Sequence, residues 1–186
     1  NDLKNIKRKL RIPLNLEIAP TKEMLKIALK HKPKYVCIVP EKRTEITTEG
    51  GLNLNRHKLF LKKMIRKMKA RKIRVSLFIE PKIGDITNSK KLGADCVELH
   101  TGRYCNLFNK KKKIKNEFSR IKKSAFYAEK NSLEVHAGHG LTYETAYQIS
   151  KINSISEFNI GHFIIAESMF ISLKKAILKF KKIINK

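Results

Sequence analysis

Residues 133–142 read Leu133-Glu134-Val135-His136-Ala137-Gly138-His139-Gly140-Leu141-Thr142. Leu133 to Ala137 is a short, mainly apolar run of the strand type, and Gly138-His139-Gly140 ends it. Thr142 then offers a side-chain cap for a helix over 143–152. The same arrangement returns downstream, where a strand over Phe158-Asn159-Ile160 ends at Gly161-His162 before a helix over 166–183. Each copy places a Gly and a His at the end of a strand. Glycine lets backbone N–H groups approach an anion closely, and a helix N-terminus adds a favourable dipole. Phosphate binding is the functional reading of the pair, and ordinary turn glycines are the structural alternative.

Working outward, the same alternation fills the chain. Strands are expected over Ile12–Ile18, Tyr35–Val39, Ile73–Ile79 and Ala94–Leu99. Helices are expected after Thr21, over 55–71, near 84–92 and over 115–131. Six strands, each followed by a helix, give an α/β fold with a parallel sheet and right-handed crossovers. No linker interrupts them, so residues 1–186 read as one domain. In β/α barrels the phosphate cup is commonly built by the loops after strands seven and eight. If the two glycine–histidine turns form that cup, the chain carries about six β/α units, strands three to eight, of a (β/α)8 TIM barrel.

Polar residues collect at one end of these strands: Glu17, Glu41 with Arg43, Glu80, Glu98 with His100, His136 with His139, and His162. A barrel gathers the carboxyl ends of its strands onto one mouth, where such residues do chemistry. Glu17 there is expected to be partly desolvated, with a raised pKa suited to general acid/base work. Glu98 and His100, two apart, point to the same side of a strand. His100, His136, His139 and His162 would suit zinc if they converged. No H-x-x-x-H or H-E-x-x-H spacing is present, and no metal is expected. His31 and His57 read as surface residues. The charged loop 40–51, ending in Gly50-Gly51, suits a lid.

Composition narrows the classes. Forty-two Lys plus Arg stand against sixteen Asp plus Glu, a formal charge of +26. The Lys are spread along nearly every helix, and the chain is rich in Ile and Asn. A solvated basic surface therefore explains the charge better than a nucleic-acid face, which needs aromatics interleaved with basic residues. Phe60, Phe118 and Phe180 fall instead on apolar helix stripes. No apolar run is long enough to span a membrane. Cys37, Cys96 and Cys105 lack C-x-x-C spacing. Cys37 and Cys96 read as small buried hydrophobes in a reducing compartment, and the chain is expected in the cytoplasm.

The motifs also resemble a known family. Asn15-Leu16-Glu17, Val39-Pro40-Glu41-Lys42-Arg43, Thr47-Thr48-Glu49-Gly50-Gly51-Leu52 and Val75-Ser76-Leu77-Phe78-Ile79 come first. They are followed by Glu98-Leu99-His100-Thr101-Gly102, Ala137-Gly138-His139-Gly140-Leu141-Thr142-Tyr143 and Asn159-Ile160-Gly161-His162. In this order they resemble the pyridoxine 5'-phosphate synthase family. The resemblance implies a β/α barrel assembled as an octamer from dimers, needing no metal or organic cofactor. It implies condensation of 3-amino-2-oxopropyl phosphate with 1-deoxy-D-xylulose 5-phosphate, giving pyridoxine 5'-phosphate, phosphate and water. By the same resemblance, Glu17 is a general acid/base and His139 a proton donor. Thr48 binds substrate from the lid, Gly140, Gly161 and His162 bind phosphate, and Glu98 lines the mouth. No nucleic-acid or membrane partner is implied.

Two departures accompany the resemblance. His136 stands where the family usually has asparagine. The family's first two strands, with a second catalytic histidine and substrate-gripping arginines, would precede Asn1, and the opening Asn1-Asp2-Leu3-Lys4 reads as the middle of a gene product. A chain without that segment is expected to be inactive and poorly stable by itself. A different phosphate-binding barrel isomerase or lyase is the nearer rival, but it should carry a strand-end Lys, which is absent here. A basic nucleic-acid-binding module is the more distant one.

Overall fold

The structure, a computed structural model, describes residues 2–40, 50–56 and 58–184. It is an α/β fold, with six strands and nine helices among the described residues. The strands are β1 (Asn15–Ile18), β2 (Tyr35–Ile38), β3 (Arg74–Ile79), β4 (Cys96–His100), β5 (Glu134–Gly138) and β6 (Glu157–Asn159). They are hydrogen-bonded in chain order. The registers of β1 on β2, β2 on β3 and β5 on β6 are all parallel. The chain forms two compact units, Asn1–Glu98 and Leu99–Lys186.

The first unit contains α1 (Asp2–Lys9), α2 (Lys22–His31), α3 (Lys58–Lys69) and α4 (Ile83–Leu92). Thr21 caps α2 as its position suggested, its Oγ1 accepting from Met24 N at 3.1 Å. Leu61, Met64, Ile65 and Met68 recur at helical spacing on α3, and all four are buried. Val36, Val75, Leu77 and Ile79 from the strands are fully buried too. Each such side chain contributes about 1.5–3 kcal/mol of burial. The strand expected from Ile12 begins only at Asn15. Pro13 has no N–H to give a ladder, and Ile12 before it is 71% exposed. Helix α1 was not expected: it is nearly all polar and buries no residue.

The second unit contains α5 (Gly102–Asn109), α6 (Lys115–Lys130), α7 (Tyr143–Ile149), α8 (His162–Ile171) and α9 (Leu173–Ile184). The last helix, read from sequence as one piece over 166–183, is two. Ser172 has φ 74° and ψ 150°, which no helix continues through. The break lets α9 bury Ala176 and Phe180 while α8 buries nothing. Phe180 packs on Tyr143 at 4.5 Å between ring centroids and on Phe163 at 5.8 Å. Helix α5 was also missed. It is short and follows β4 directly, and it buries Tyr104 and Cys105. All three cysteines are free and buried, as Cys37 and Cys96 were expected to be. No helix among the described residues is long and apolar enough to cross a membrane.

Candidate active site

In the first unit, the parallel register lays Glu17, Cys37 and Ser76 side by side across β1, β2 and β3. The Cys37 thiol donates to Glu98 Oε2 at 3.3 Å. Both side chains are buried, Cys37 at 1% exposure and Glu98 at 4%. Burial, foremost, then the negative charge of Glu98, the hydrogen bond to it and the charge of Glu17, hold the thiol well above the usual thiol range. Cys37 therefore stays protonated and acts as a donor. Ser76, buried on the other side of Cys37, offers the thiol a side-chain hydrogen bond that opposes this shift without outweighing it. Glu17, expected to be partly desolvated, is exposed.

Glu80, just past the end of β3, is fully buried. Its Oε1 accepts from Gly51 N at 2.9 Å, and Leu52 N donates to Phe78 O at 2.8 Å. These bonds fasten the end of the glycine pair to β3. The approach is so close that a Cβ on Gly51 would lie 2.6 Å from Glu80 N. Glu41, Arg43 and Thr48, in the expected lid, lie outside the described residues, as does His57. His31 ends α2 and is only partly exposed.

In the second unit, β4 ends in His100 and β5 runs into His139. Their rings lie 4.9 Å apart between centroids and are tilted by 50°. Thr101, which the sequence reading left without a role, holds this arrangement. It is fully buried, and its Oγ1 reaches both Gly138 O and His139 O at 2.8 Å. One hydroxyl proton is thus shared between two carbonyls, while Thr101 N donates to Gly138 O at 2.9 Å. His139 itself has φ +79°, a left-handed backbone rare outside glycine, and Gly140 follows at φ +77°. Strain of this kind persists where surrounding bonds over-determine it, and it clusters at functional sites. Gly102 completes the packing: a Cβ there would come within 2.7 Å of His100 Nε2 and 2.8 Å of His139 Cδ2.

Burial lowers the His139 pKa from 6.5, and the positive charges available to His100 and His162 lower it further. Its imidazole is therefore mostly neutral near neutral pH, and its protonated form is a stronger acid than ordinary imidazolium. Such a group can accept a proton at rest and give one up readily. His136 does not join this pair. It is buried with Nε2 3.0 Å from Glu134 Oε1 and Nδ1 3.5 Å from Glu157 Oε1, an arrangement that ties β5 to β6.

The two glycine–histidine turns looked alike in sequence and differ in structure. The N-terminus of α7 is satisfied internally: Thr142 caps Thr145 N, and Thr145 Oγ1 accepts from Thr142 N at 2.7 Å. Gly161 precedes helix α8 and gives it no side-chain cap, and a Cβ on Gly161 would meet nothing within 4 Å among the described residues. Gly161 and His162 are both exposed. Uncapped first-turn N–H groups facing open space are what an anion requires.

Comparison with known proteins follows the same lines. A pyridoxine 5'-phosphate synthase of Pelagibacter ubique (strain HTCC1062) is 52% identical over 186 residues, covering 100% of this chain and 78% of that protein. One of Zymomonas mobilis subsp. mobilis is 47% identical over 185 residues, covering 100% of this chain and 72% of that protein. Among solved structures, "Native KDPGal structure" superposes with TM-score 0.60 at 11% identity, covering 99% of this chain and 75% of that one. "Crystal Structure of Citrate Synthase SbnG" does so with TM-score 0.55 at 12% identity, over 98% and 77%. Those two likenesses concern the fold alone. The family model "Pyridoxal phosphate biosynthesis protein PdxJ" matches residues 1–186. The chain belongs to the PdxJ family.

Proposed function

We infer that this chain catalyses the pyridoxine 5'-phosphate synthase reaction, the condensation of 3-amino-2-oxopropyl phosphate with 1-deoxy-D-xylulose 5-phosphate. The observation that carries this is 52% identity to a pyridoxine 5'-phosphate synthase over all 186 residues. Pyridoxine 5'-phosphate, inorganic phosphate and water are the products. On this reading β1–β6 are strands three to eight of a (β/α)8 barrel, one domain that assembles as an octamer built from dimers. Its partners are small phosphorylated substrates, without nucleic acid, membrane or cofactor.

The residue roles follow from their chemistry. Ring closure passes through imine formation, tautomerisation, phosphate loss and dehydration, each of which moves protons near neutral pH. Glu17 takes and returns protons, and His139, an acid strengthened by burial and by its histidine neighbours, donates them. A substrate phosphate sits before α8, against Gly161 and His162, with Gly140 beside it. Glu98, His100 and Thr48 line or cover the substrate, and His136 braces β5.

The test uses two proteins: the 186-residue chain, and a chimaera joining it to the part of the Pelagibacter ubique enzyme that the match leaves uncovered. Both are supplied with the two substrates, and pyridoxine 5'-phosphate is measured. Turnover is expected in the chimaera, and Glu17→Gln and His139→Asn should each lower it by about 10²- to 10⁴-fold. Asparagine suits position 139 because it tolerates positive φ, so the backbone is kept. No product from either protein would overturn the assignment.

A further inference from the structure

We infer that Cys37 is a positioning residue for Glu98, its thiol holding that carboxylate in the orientation the reaction uses. The role rests on the reaction proposed above. Three observations carry it. The Sγ–Oε2 distance of 3.3 Å is a hydrogen bond for sulfur, and both partners are at least nine-tenths buried. In a buried setting such a bond directs a carboxylate more firmly than it would in water. The register then sets Cys37 directly beside Glu17, so one thiol sits next to one carboxylate and bonds another. Finally, the thiol remains protonated in this acidic surrounding, which keeps it a donor and unreactive as a nucleophile. An alanine or valine would fill the space without directing anything. The thiol is therefore more than the small hydrophobe that its apolar run suggests.

The effect should fall on turnover rather than on binding, because an orienting bond acts on the reacting geometry. Cys37→Ala should lower kcat by about 10- to 100-fold, the range for a hydrogen bond to a charged group, with KM little changed. Cys37→Ser, which restores a donor, should recover most of that loss. A merely structural cysteine would show neither the split nor the rescue.

A second readout works without turnover. The infrared S–H stretch of Cys37 is isolated as the difference between the parent chain and Cys37→Ser, leaving Cys96 and Cys105 to cancel. It should lie at the low frequency of a hydrogen-bonded thiol and move up in Glu98→Leu. Circular dichroism confirms that each variant is folded. An S–H band unmoved by Glu98→Leu would overturn the inference. So would a Cys37→Ala enzyme with parental kcat, or equal losses in Cys37→Ala and Cys37→Ser. If neither the 186-residue chain nor the chimaera gives product, the reaction assignment fails, and the infrared band alone upholds or sinks the bond.

Discussion

His100 and His139 face one another with ring centroids 4.9 Å apart, and each is the imidazole nearest the end of its strand. Two such rings cannot both carry a proton cheaply. The pair thereby sets the acidity of the group assigned as proton donor, with burial as the larger cause.

Removing His100 should therefore raise the His139 pKa toward 6.5. Nuclear magnetic resonance titration of the His139 ring in His100→Gln should show its midpoint at higher pH than in the parent. His162→Gln should move it the same way by less, since that charge is the smaller cause. An unmoved midpoint in both variants would remove the electrostatic account.

The same shift has a consequence for stability. His139 binds its proton less readily folded than unfolded, so the unfolded chain holds more protons between the folded value and 6.5. Its contribution is complete above about 6.5 and declines as pH falls through that window. Urea midpoints of the parent should drop over that interval more than those of His139→Asn, which has no such proton to bind.

Gly102 is where a single methyl group would reach both rings. Gly102→Ala places a Cβ 2.7 Å from His100 Nε2 and 2.8 Å from His139 Cδ2, so the pair must separate. Displacement on the scale of 1 Å costs on the order of 100-fold in rate. Turnover should fall by roughly that factor while the helical circular dichroism of the chain is kept. Parental kcat in this variant would mean that the ring arrangement does not matter to the reaction.

Thr101 should matter through its hydroxyl rather than its shape. Thr101→Val takes the hydroxyl donor from the carbonyl of His139, leaving the weaker Cys105 thiol at 3.8 Å, and should cost about 1–3 kcal/mol in urea unfolding. Thr101→Ser, which keeps the hydroxyl, should remain within about 1 kcal/mol of the parent. Equal losses in the two variants would assign the effect to packing instead.

Glu80 supports a comparable contrast in the first unit. Glu80→Ala strips the acceptor from Gly51 N and should cost about 1–3 kcal/mol, whereas Glu80→Gln keeps an acceptor oxygen and should cost less. Denaturant midpoints of the two variants decide the matter.

Much was legible in the residues themselves. Runs such as the apolar Tyr35–Val39 and the helical spacing over 55–71 announce strand and helix because periodicity is local, and every strand was placed to within a few residues. The ordered motifs from Glu17 to His162 sufficed to identify the family. Local pattern also brought Glu98 and His100 onto β4, and His139 to the end of β5.

What it could not carry were relations between segments far apart in the chain. The bond from Cys37 to Glu98 joins residues 61 apart, and that from Thr101 to Gly138 joins residues 37 apart. Neither type of residue advertises its partner. Glu17 was expected to be desolvated from its place on a strand, yet solvent exposure belongs to the packed structure and leaves it open. The two glycine–histidine turns differ in that Thr142 and Thr145 close one helix end while no side chain caps the other. Strand order and residue type are written along the chain, whereas burial, and with it the acidity of His139 and the role of Cys37, is decided only when distant segments pack.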